Sequence, residues 1–355
     1  MKEQYVLAYD YGGTQARAAI VGDDGILIKN QEKCADRCEI PTGCTNEKLD
    51  QITLDLANRV LSKSGLRASE LFSIGFASAG TWKDLIIEYA PNISVRNNIT
   101  APKFIKERLG VETFGANDLR AAVYCTAFLG SGQGLERVAT VTYSTGNNAA
   151  IFYRGSHYPQ DKDLSQEVGH AKFVDPFFFE QARVCGCGAK GCYEAYVSGT
   201  SAALMAREAL MDVRNPNEPI LLEALKDAPN PMCYEEAVLS IGAKHVYRAF
   251  RNRGRQGIDL ASSIQEVQKH AIASQIASIM LHHRPEVIEL MGSMTKDWDV
   301  LFEPAIEILH DSKMYNQKLL QPCPVKRNPF GDDIGLLGAG VYGRIMRARE
   351  MEFSH

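Results

Sequence analysis

Between Glu167 and Glu194 the chain reads E-V-G-H, then C-G-C-G-A-K-G-C, then Y-E. One histidine and three cysteines so close together are metal ligands by type, since thiolate sulfur and imidazole nitrogen are what zinc takes. Cys185, Cys187 and Cys192 share a loop in which Gly186, Gly188 and Gly191 let the backbone curl around an ion, and His170 lies a short way upstream. Three thiolates and one imidazole close a tetrahedral set, so the zinc predicted here is structural rather than catalytic. A loop of reduced thiols is the alternative, and the C-x-C-G-x-x-G-C spacing beside a histidine argues against it.

Two carboxylates accompany the ligands. Glu167 stands three residues before His170 and Glu194 two after Cys192, so a metal joining the histidine to the cysteine loop draws both toward one place. Carboxylates accept hydrogen bonds from neighbouring hydroxyls, and a metal-bound histidine keeps one ring N–H to donate, which together suit a polyol. A lone glutamate on a loop would by default only be solvated.

The rest of the chain must position this stretch. With 355 residues, 45% hydrophobic and 23% charged, there is room for two core-bearing domains. A net charge of −4 predicts no affinity for nucleic acid or an anionic membrane, and the single basic run, 248–255, reads as a solvated helix end. No signal peptide or membrane-spanning run is visible, and nine cysteines without a secretory signal imply a reducing, cytoplasmic setting. Cys34, Cys38 and Cys44 lack a histidine and regular spacing and read as unpaired thiols.

In order, strands are expected over 5–9 and 16–21, joined by Asp10-Tyr11-Gly12-Gly13-Thr14, and a third over 26–29 after the Asp24-Gly25 turn. The glycine pair and Thr14 offer backbone N–H groups and a hydroxyl to an anion, although any tight turn uses glycine. A helix follows with Thr45 as N-cap and Leu49, Ile52, Leu56 and Val60 on one face. A strand over 72–76 runs into Ala77-Ser78-Ala79-Gly80, a small-residue loop of the kind that meets ligands in open α/β sheets. Thr100, Pro102 and Gly110 bracket a short helix, and a strand over 111–114 leads to Asn117-Asp118 and a helix to Leu129. Asp118 reads as an N-cap or as a base that takes a proton from an attacking hydroxyl.

A second strand–turn–strand unit, 138–143, Ser144-Thr145-Gly146-Asn147-Asn148 and 149–153, suggests internal duplication with two phosphate-facing hairpins. Helices are expected over 198–211, 234–250 and 260–283, with a buried strand over 287–291 ending at Gly292-Ser293 and a terminal helix over 332–349. The G-x-G-x-x-G at 338–343 has no preceding strand and reads as close helix packing, not a dinucleotide site.

Together, Asp10-x-Gly12-Gly13-Thr14, Asn117-Asp118, Thr145-Gly146, Glu167-x-x-His170 and the cysteine loop through Glu194 resemble the ROK family of repressors, open-reading-frame proteins and sugar kinases, over nearly the whole chain. The resemblance implies an α/β, two-lobed actin-like ATPase (ribonuclease H-like) fold with duplicated mixed sheets and an interlobe cleft. Residues 1–117, completed by a C-terminal helix at about 335–355, would form the smaller lobe, and 118–334 the larger one with the zinc loop. It further implies ATP with Mg2+ at Asp10, Gly12, Gly13, Thr14, Thr145, Gly146 and Gly292. A sugar would sit at Gly80, Asn117, Asp118, Glu167, His170 and Glu194, with Asp118 as general base and zinc on His170, Cys185, Cys187 and Cys192. The expected activity is phosphorylation of a hexose or N-acetylhexosamine, such as glucose, N-acetylglucosamine or N-acetylmannosamine, by a cytoplasmic homodimer or homotetramer.

The chain departs from the family pattern where Asn147, Asn148, Ala149 and Ala150 replace a glycine-rich second turn, and the turn near the adenosine is reduced to Gly292-Ser293-Met294. Two other readings rest on these departures: a sugar-binding regulator with weak or no kinase activity, and a kinase using another phosphoryl donor such as polyphosphate. Family repressors carry an N-terminal DNA-binding module, for which a first strand starting near Tyr5 leaves no room.

Overall fold

The computed structural model describes residues 3–90, 93–95, 97–154, 167–173, 181–228, 233–252, 259–320 and 323–353. Internal contacts divide them into two units. One runs to Thr140 and resumes at Ala150 and at Asn328; the other comprises Val141–Ala149 and the stretch ending at Arg327.

The first unit begins with β1 (Val6–Tyr11) and β2 (Gln15–Gly22), an antiparallel hairpin closed where the Gly12 N–H donates to the Gln15 carbonyl at 2.9 Å. β3 (Gly25–Ile26) continues beside β2, whereas β4 (Ile28–Lys29) and β5 (Glu32–Lys33) form a separate two-stranded ladder before β6 (Ala35–Glu39) returns to β2. The one strand expected over 26–29 is therefore two pieces in different sheets. Asn30 and Gln31 take φ of 52° and 68°, a left-handed turn that folds β4 back on β5.

Helix α1 (Asn46–Ser64) starts at its Thr45 cap, buries Leu49, Ile52, Leu56 and Val60, and stops at Gly65. The fully buried β7 (Ser73–Ser78) is followed by a small sheet, β8 (Thr81–Lys83), β9 (Ile86–Tyr89) and β10 (Asn97–Ile99). Next come α2 (Ala101–Leu109), β11 (Thr113–Asn117) and α3 (Asp118–Phe128). The main sheet runs β11-β7-β1-β2-β3, with β1, β7 and β11 parallel. Its core is aromatic: Tyr9 stacks on Phe76 at 4.4 Å, and its hydroxyl donates to the Thr53 carbonyl at 3.0 Å. Cys34 and Cys44 are buried here and, like Cys38, are free thiols.

Asp50 on α1 is strained electrostatically. Burial, then the nearby Glu47 charge, push its carboxyl up to about 6, against a hydrogen bond from Thr100. A carboxyl raised in the folded state binds its proton more tightly than in the unfolded chain, so stability falls as pH rises from about 4 to 6 and the deficit persists above. Asp50→Asn is expected to flatten that dependence and raise the melting temperature at pH 7 by roughly 2 °C, the group being only partly screened from water. Melting curves across pH 4–8 check this.

The hairpin β12 (Arg137–Tyr143) and β13 (Asn147–Tyr153) contributes its turn end to the second unit, in a sheet ordered β13-β12-β14-β15. Around it lie α4 (Glu194–Val197), α5 (Gly199–Asp212), α6 (Pro219–Lys226), α7 (Tyr234–Leu239), α8 (Ala243–Asn252), α9 (Leu260–His283), β14 (Val287–Met291), α10 (Trp298–His310), α11 (Gln317–Leu320) and β15 (Val325–Arg327). The single helix expected over 234–250 is broken into α7 and α8. At the break the Gly242 N–H donates to His245 Nδ1 at 2.9 Å, so Nε2 carries the proton and faces Asp227 at 3.1 Å, while Arg207 takes the freed Ile241 carbonyl. In the basic run, Arg248 pairs with Asp227 and Arg251 with Asp297 and Asp299; residues 253–255 of it lie outside the described residues.

Helix α12 (Ile334–Phe353) returns to the first unit. A Cβ on Gly338 would stand 2.2 Å from the Ala121 carbonyl, and one on Gly340 2.6 Å from Val21, so the G-x-G-x-x-G stretch is what lets α12 seat on α3 and the sheet. Among the described residues no helix is long and apolar enough to cross a membrane.

Candidate functional site

In the first unit the parallel alignment of β1, β7 and β11 brings three predicted positions to one edge. Asp10 pairs with Ala77 and Tyr11 with Ser78 across β1 and β7, and Ser78 pairs with Asn117 across β7 and β11. Asp10, the loop to Gly80, and Asn117-Asp118 thus emerge from the carboxyl ends of adjacent parallel strands, where open α/β sheets bind ligands. Asn117 caps α3, its Oδ1 accepting from the Leu119 N–H at 3.0 Å, and its Nδ2 donates to the Gly80 carbonyl at 3.5 Å. Asp118 is the first residue of the helix, not its cap, and is exposed. Its carboxylate also accepts from the Leu119 N–H, at 2.8 Å, at a helix end whose dipole favours negative charge.

Asp10 has a partner that the sequence reading missed. Arg17, directly opposite it in the β1–β2 register, makes an ion pair with its carboxylate. Burial raises the Asp10 carboxyl and the guanidinium opposes that rise. Gly12 stands opposite Gln15, which leaves Gly13-Thr14 as a two-residue loop and sets Arg17 opposite Asp10; the wider join from Asp10 to Thr14 expected from the sequence hid that register.

The second unit brings together the histidine and cysteines predicted to bind zinc. Residues 170–173 run beside the cysteine loop: the Tyr193 N–H donates to the Ala171 carbonyl at 2.9 Å and the Phe173 N–H to the Gly191 carbonyl at 2.8 Å. The loop is itself a small knuckle, bridged between Val184 and Lys190, with the Cys185 N–H donating to the Ala189 carbonyl at 2.8 Å. His170, Cys185, Cys187 and Cys192 place their ligand atoms within 4.8 Å of one another. In a tetrahedron with Zn–S bonds of 2.3 Å and Zn–N bonds of 2.0–2.1 Å, ligand atoms lie about 3.6–3.8 Å apart. Here Cys187 and Cys192 sulfurs are 3.9 Å apart, and Cys185 Sγ is 3.6 Å from His170 Nδ1, so the donor set fits such an ion. Burial pushes the Cys185 thiol up to about 12, while the Ala189 backbone N–H leads in holding the Cys187 thiol low. Lys172 Nζ lies 3.4 Å from Cys192 Sγ, where its positive charge would balance cysteine thiolates on a bound ion.

Both predicted carboxylates hang on this cluster. His170 turns Nδ1 to the cysteines and Nε2 to Glu167 Oε2, 3.7 Å away. Glu194 spans the cluster and the second hairpin turn: Cys185 Sγ donates to its Oε1 at 3.4 Å, and the Asn147 N–H to its Oε2 at 2.9 Å. Gly169 permits the approach, since a Cβ there would stand 1.9 Å from the Asn147 carbonyl.

The Asn147 side chain does not fill the phosphate face of the turn. It is 4% exposed, its Nδ2 donating to the Thr142 carbonyl at 3.0 Å and its Oδ1 accepting from Gln275 at 2.6 Å, while Gln275 also accepts from the Tyr143 hydroxyl at 2.8 Å. Ser144 and Thr145 border a cavity of about 460 Å³, whose wall also includes Thr200, Lys244, Tyr247 and Ser293. Gly292, at φ 97°, stands at the end of β14 against the Tyr143 carbonyl and brings Ser293 and Met294 to this wall. The contributions of α5 and α8 to the cavity carry no motif that a linear reading detects.

A sequence model of the ROK family matches residues 6–342. The chain belongs to the ROK family. A glucokinase from Thermotoga maritima is 25% identical over 339 residues, covering 96% of this chain and 97% of that protein. An N-acetyl-D-glucosamine kinase from Histophilus somni is 23% identical over 340 residues, covering 94% and 97%. Among solved structures, a ROK family glucokinase from Streptomyces griseus in complex with glucose and AMPPNP superposes with a TM-score of 0.70 at 21% identity, covering 96% of this chain and 99% of that one. The fold of this ROK protein, α/β with mixed sheets, is accordingly the actin-like ATPase type expected from its motifs.

Proposed function

We propose that this ROK protein is an ATP- and Mg2+-dependent sugar kinase that transfers the γ-phosphoryl group to a hydroxyl of a hexose or N-acetylhexosamine. The observation that carries the reading is the pair of carboxylates, Glu167 and Glu194, held by a His–Cys₃ cluster of tetrahedral zinc dimensions in a chain whose family match is almost complete. Related kinases named for glucose, N-acetylglucosamine and N-acetylmannosamine support that acceptor class, and glucose is the acceptor we favour within it.

Phosphoryl transfer needs donor and acceptor positioned and phosphate charge neutralised. The backbone of Gly12, Gly13 and Thr14 and of Thr145-Gly146 supplies N–H donors for phosphates, and Asp10 would hold Mg2+, the group that neutralises developing charge. Asp118 accepts the proton of the attacking hydroxyl as the new P–O bond forms. Asn117, His170, Glu167 and Glu194 hold the sugar, with Gly80 beside Asn117. His170, Cys185, Cys187 and Cys192 would hold zinc, whose role is to fix the sugar wall rather than to touch the reacting atoms. Because Asn147 turns its side chain inward, that side chain does not block the Thr145-Gly146 backbone from a phosphate, which supports a phosphoryl donor at this turn.

Steady-state ADP release with ATP, Mg2+ and a panel of hexoses and N-acetylhexosamines tests the proposal, with polyphosphate as competing donor. One sugar is expected to stimulate ADP release well above background. No stimulation by any sugar overturns it, and turnover with polyphosphate but not ATP overturns the donor. Assembly as a homodimer or homotetramer is part of the proposal, and light scattering on the purified chain checks it.

A further inference from the structure

The second turn carries Asn148 where the family pattern has glycine, and the structure gives this side chain specific work. Its Nδ2 donates to Glu167 Oε2 at 3.1 Å. Its Oδ1 accepts from the Val168 N–H at 3.1 Å and from the Ala149 N–H at 2.8 Å. One amide therefore grips the backbone and the side chain of the E-V-G-H motif at once, from the strand that leaves the phosphate turn. The Glu167 side chain is 58% exposed and stands 3.7 Å from His170 Nε2. A glutamate this exposed otherwise samples several rotamers, and ordering it on binding costs affinity.

We propose that Asn148 is the positioning residue for the acceptor-binding carboxylate, orienting Glu167 before the sugar arrives. A glycine at this place offers neither the donor to Glu167 nor the acceptor for Val168. The inference rests on the sugar-kinase reading and adds to it a residue that sets acceptor affinity from within the donor turn.

The test is a double-mutant cycle with Asn148→Ala, Glu167→Gln and the double variant, reading kcat and the KM values for sugar and ATP separately, with zinc content as control. Asn148→Ala is expected to raise the sugar KM roughly fivefold, below the full value of a hydrogen bond to a charged group because water competes at this exposed pair. Its kcat and ATP KM are expected to stay within about twofold of the native values. In the Glu167→Gln background the same change should add less than about twofold, because its partner is already altered. Asn148→Asp keeps the acceptor for Val168 but sets a carboxylate against Glu167, so its sugar KM should rise further; it carries the test if the alanine variant does not fold. If the single effects multiply in the double variant, or the ATP KM rises in place of the sugar KM, the proposal is overturned. If the native chain turns over a sugar and Glu167→Gln leaves the sugar KM unchanged, this proposal alone falls. If no sugar is turned over by the native chain, the kinase reading falls and this falls with it.

Discussion

Asp118→Asn is expected to lower kcat with the preferred sugar by about 10²–10⁴-fold, the usual cost of a positioned general base. The substitution tests the chemistry while keeping the hydrogen bonds at the start of α3. Asn117 caps α3, taking the Leu119 N–H at 3.0 Å, and an asparagine oxygen at 118 can take the same N–H that Asp118 takes at 2.8 Å. Melting temperature and zinc content should match the native chain, and the sugar KM should move little compared with kcat. A kcat within threefold of native would remove Asp118 from the chemistry.

Loss of the proposed zinc is expected to have the largest effect on stability and binding together. Chelation, or Cys192→Ser, should lower the melting temperature by at least about 10 °C and weaken sugar binding more than ATP binding. The asymmetry follows from the geometry: Glu167 approaches the ring nitrogen of His170 that faces away from the cysteines, and Glu194 contacts Cys185. The cavity bordered by Thr145, Lys244 and Ser293 has none of the metal ligands in its wall. Calorimetric titration of sugar and nucleotide before and after chelation reads both halves. Equal loss of the two affinities would contradict a zinc that serves the sugar wall.

The clustering of His170, Cys185, Cys187 and Cys192 was legible because residue type and spacing carry it without the fold. The main strands and α1 were legible from their apolar pattern and caps. The break between α7 and α8 was not, because it rests on His245 accepting from Gly242 across three residues and on Arg207, over thirty residues away, taking the Ile241 carbonyl. The split of the strand over 26–29 depended on two left-handed residues that are not glycine. The turn residues Asn147 and Asn148 stood out in the sequence only as departures from a glycine-rich turn, since their direction depends on Gln275 and Glu167, 128 and 19 residues away. Arg17 was missed because its place opposite Asp10 depends on a two-residue Gly13-Thr14 loop, shorter than the join expected over 10–14.

The most direct measurement is product analysis: incubate the zinc-replete chain with ATP, Mg2+ and each candidate sugar, quench, and weigh the sugar by mass spectrometry. The account predicts a sugar monophosphate formed in equal amount to ADP, from one sugar above the others, and absent with Asp118→Asn. ADP formed without sugar phosphate, or no ATP consumed while a sugar still raises the melting temperature, would contradict it.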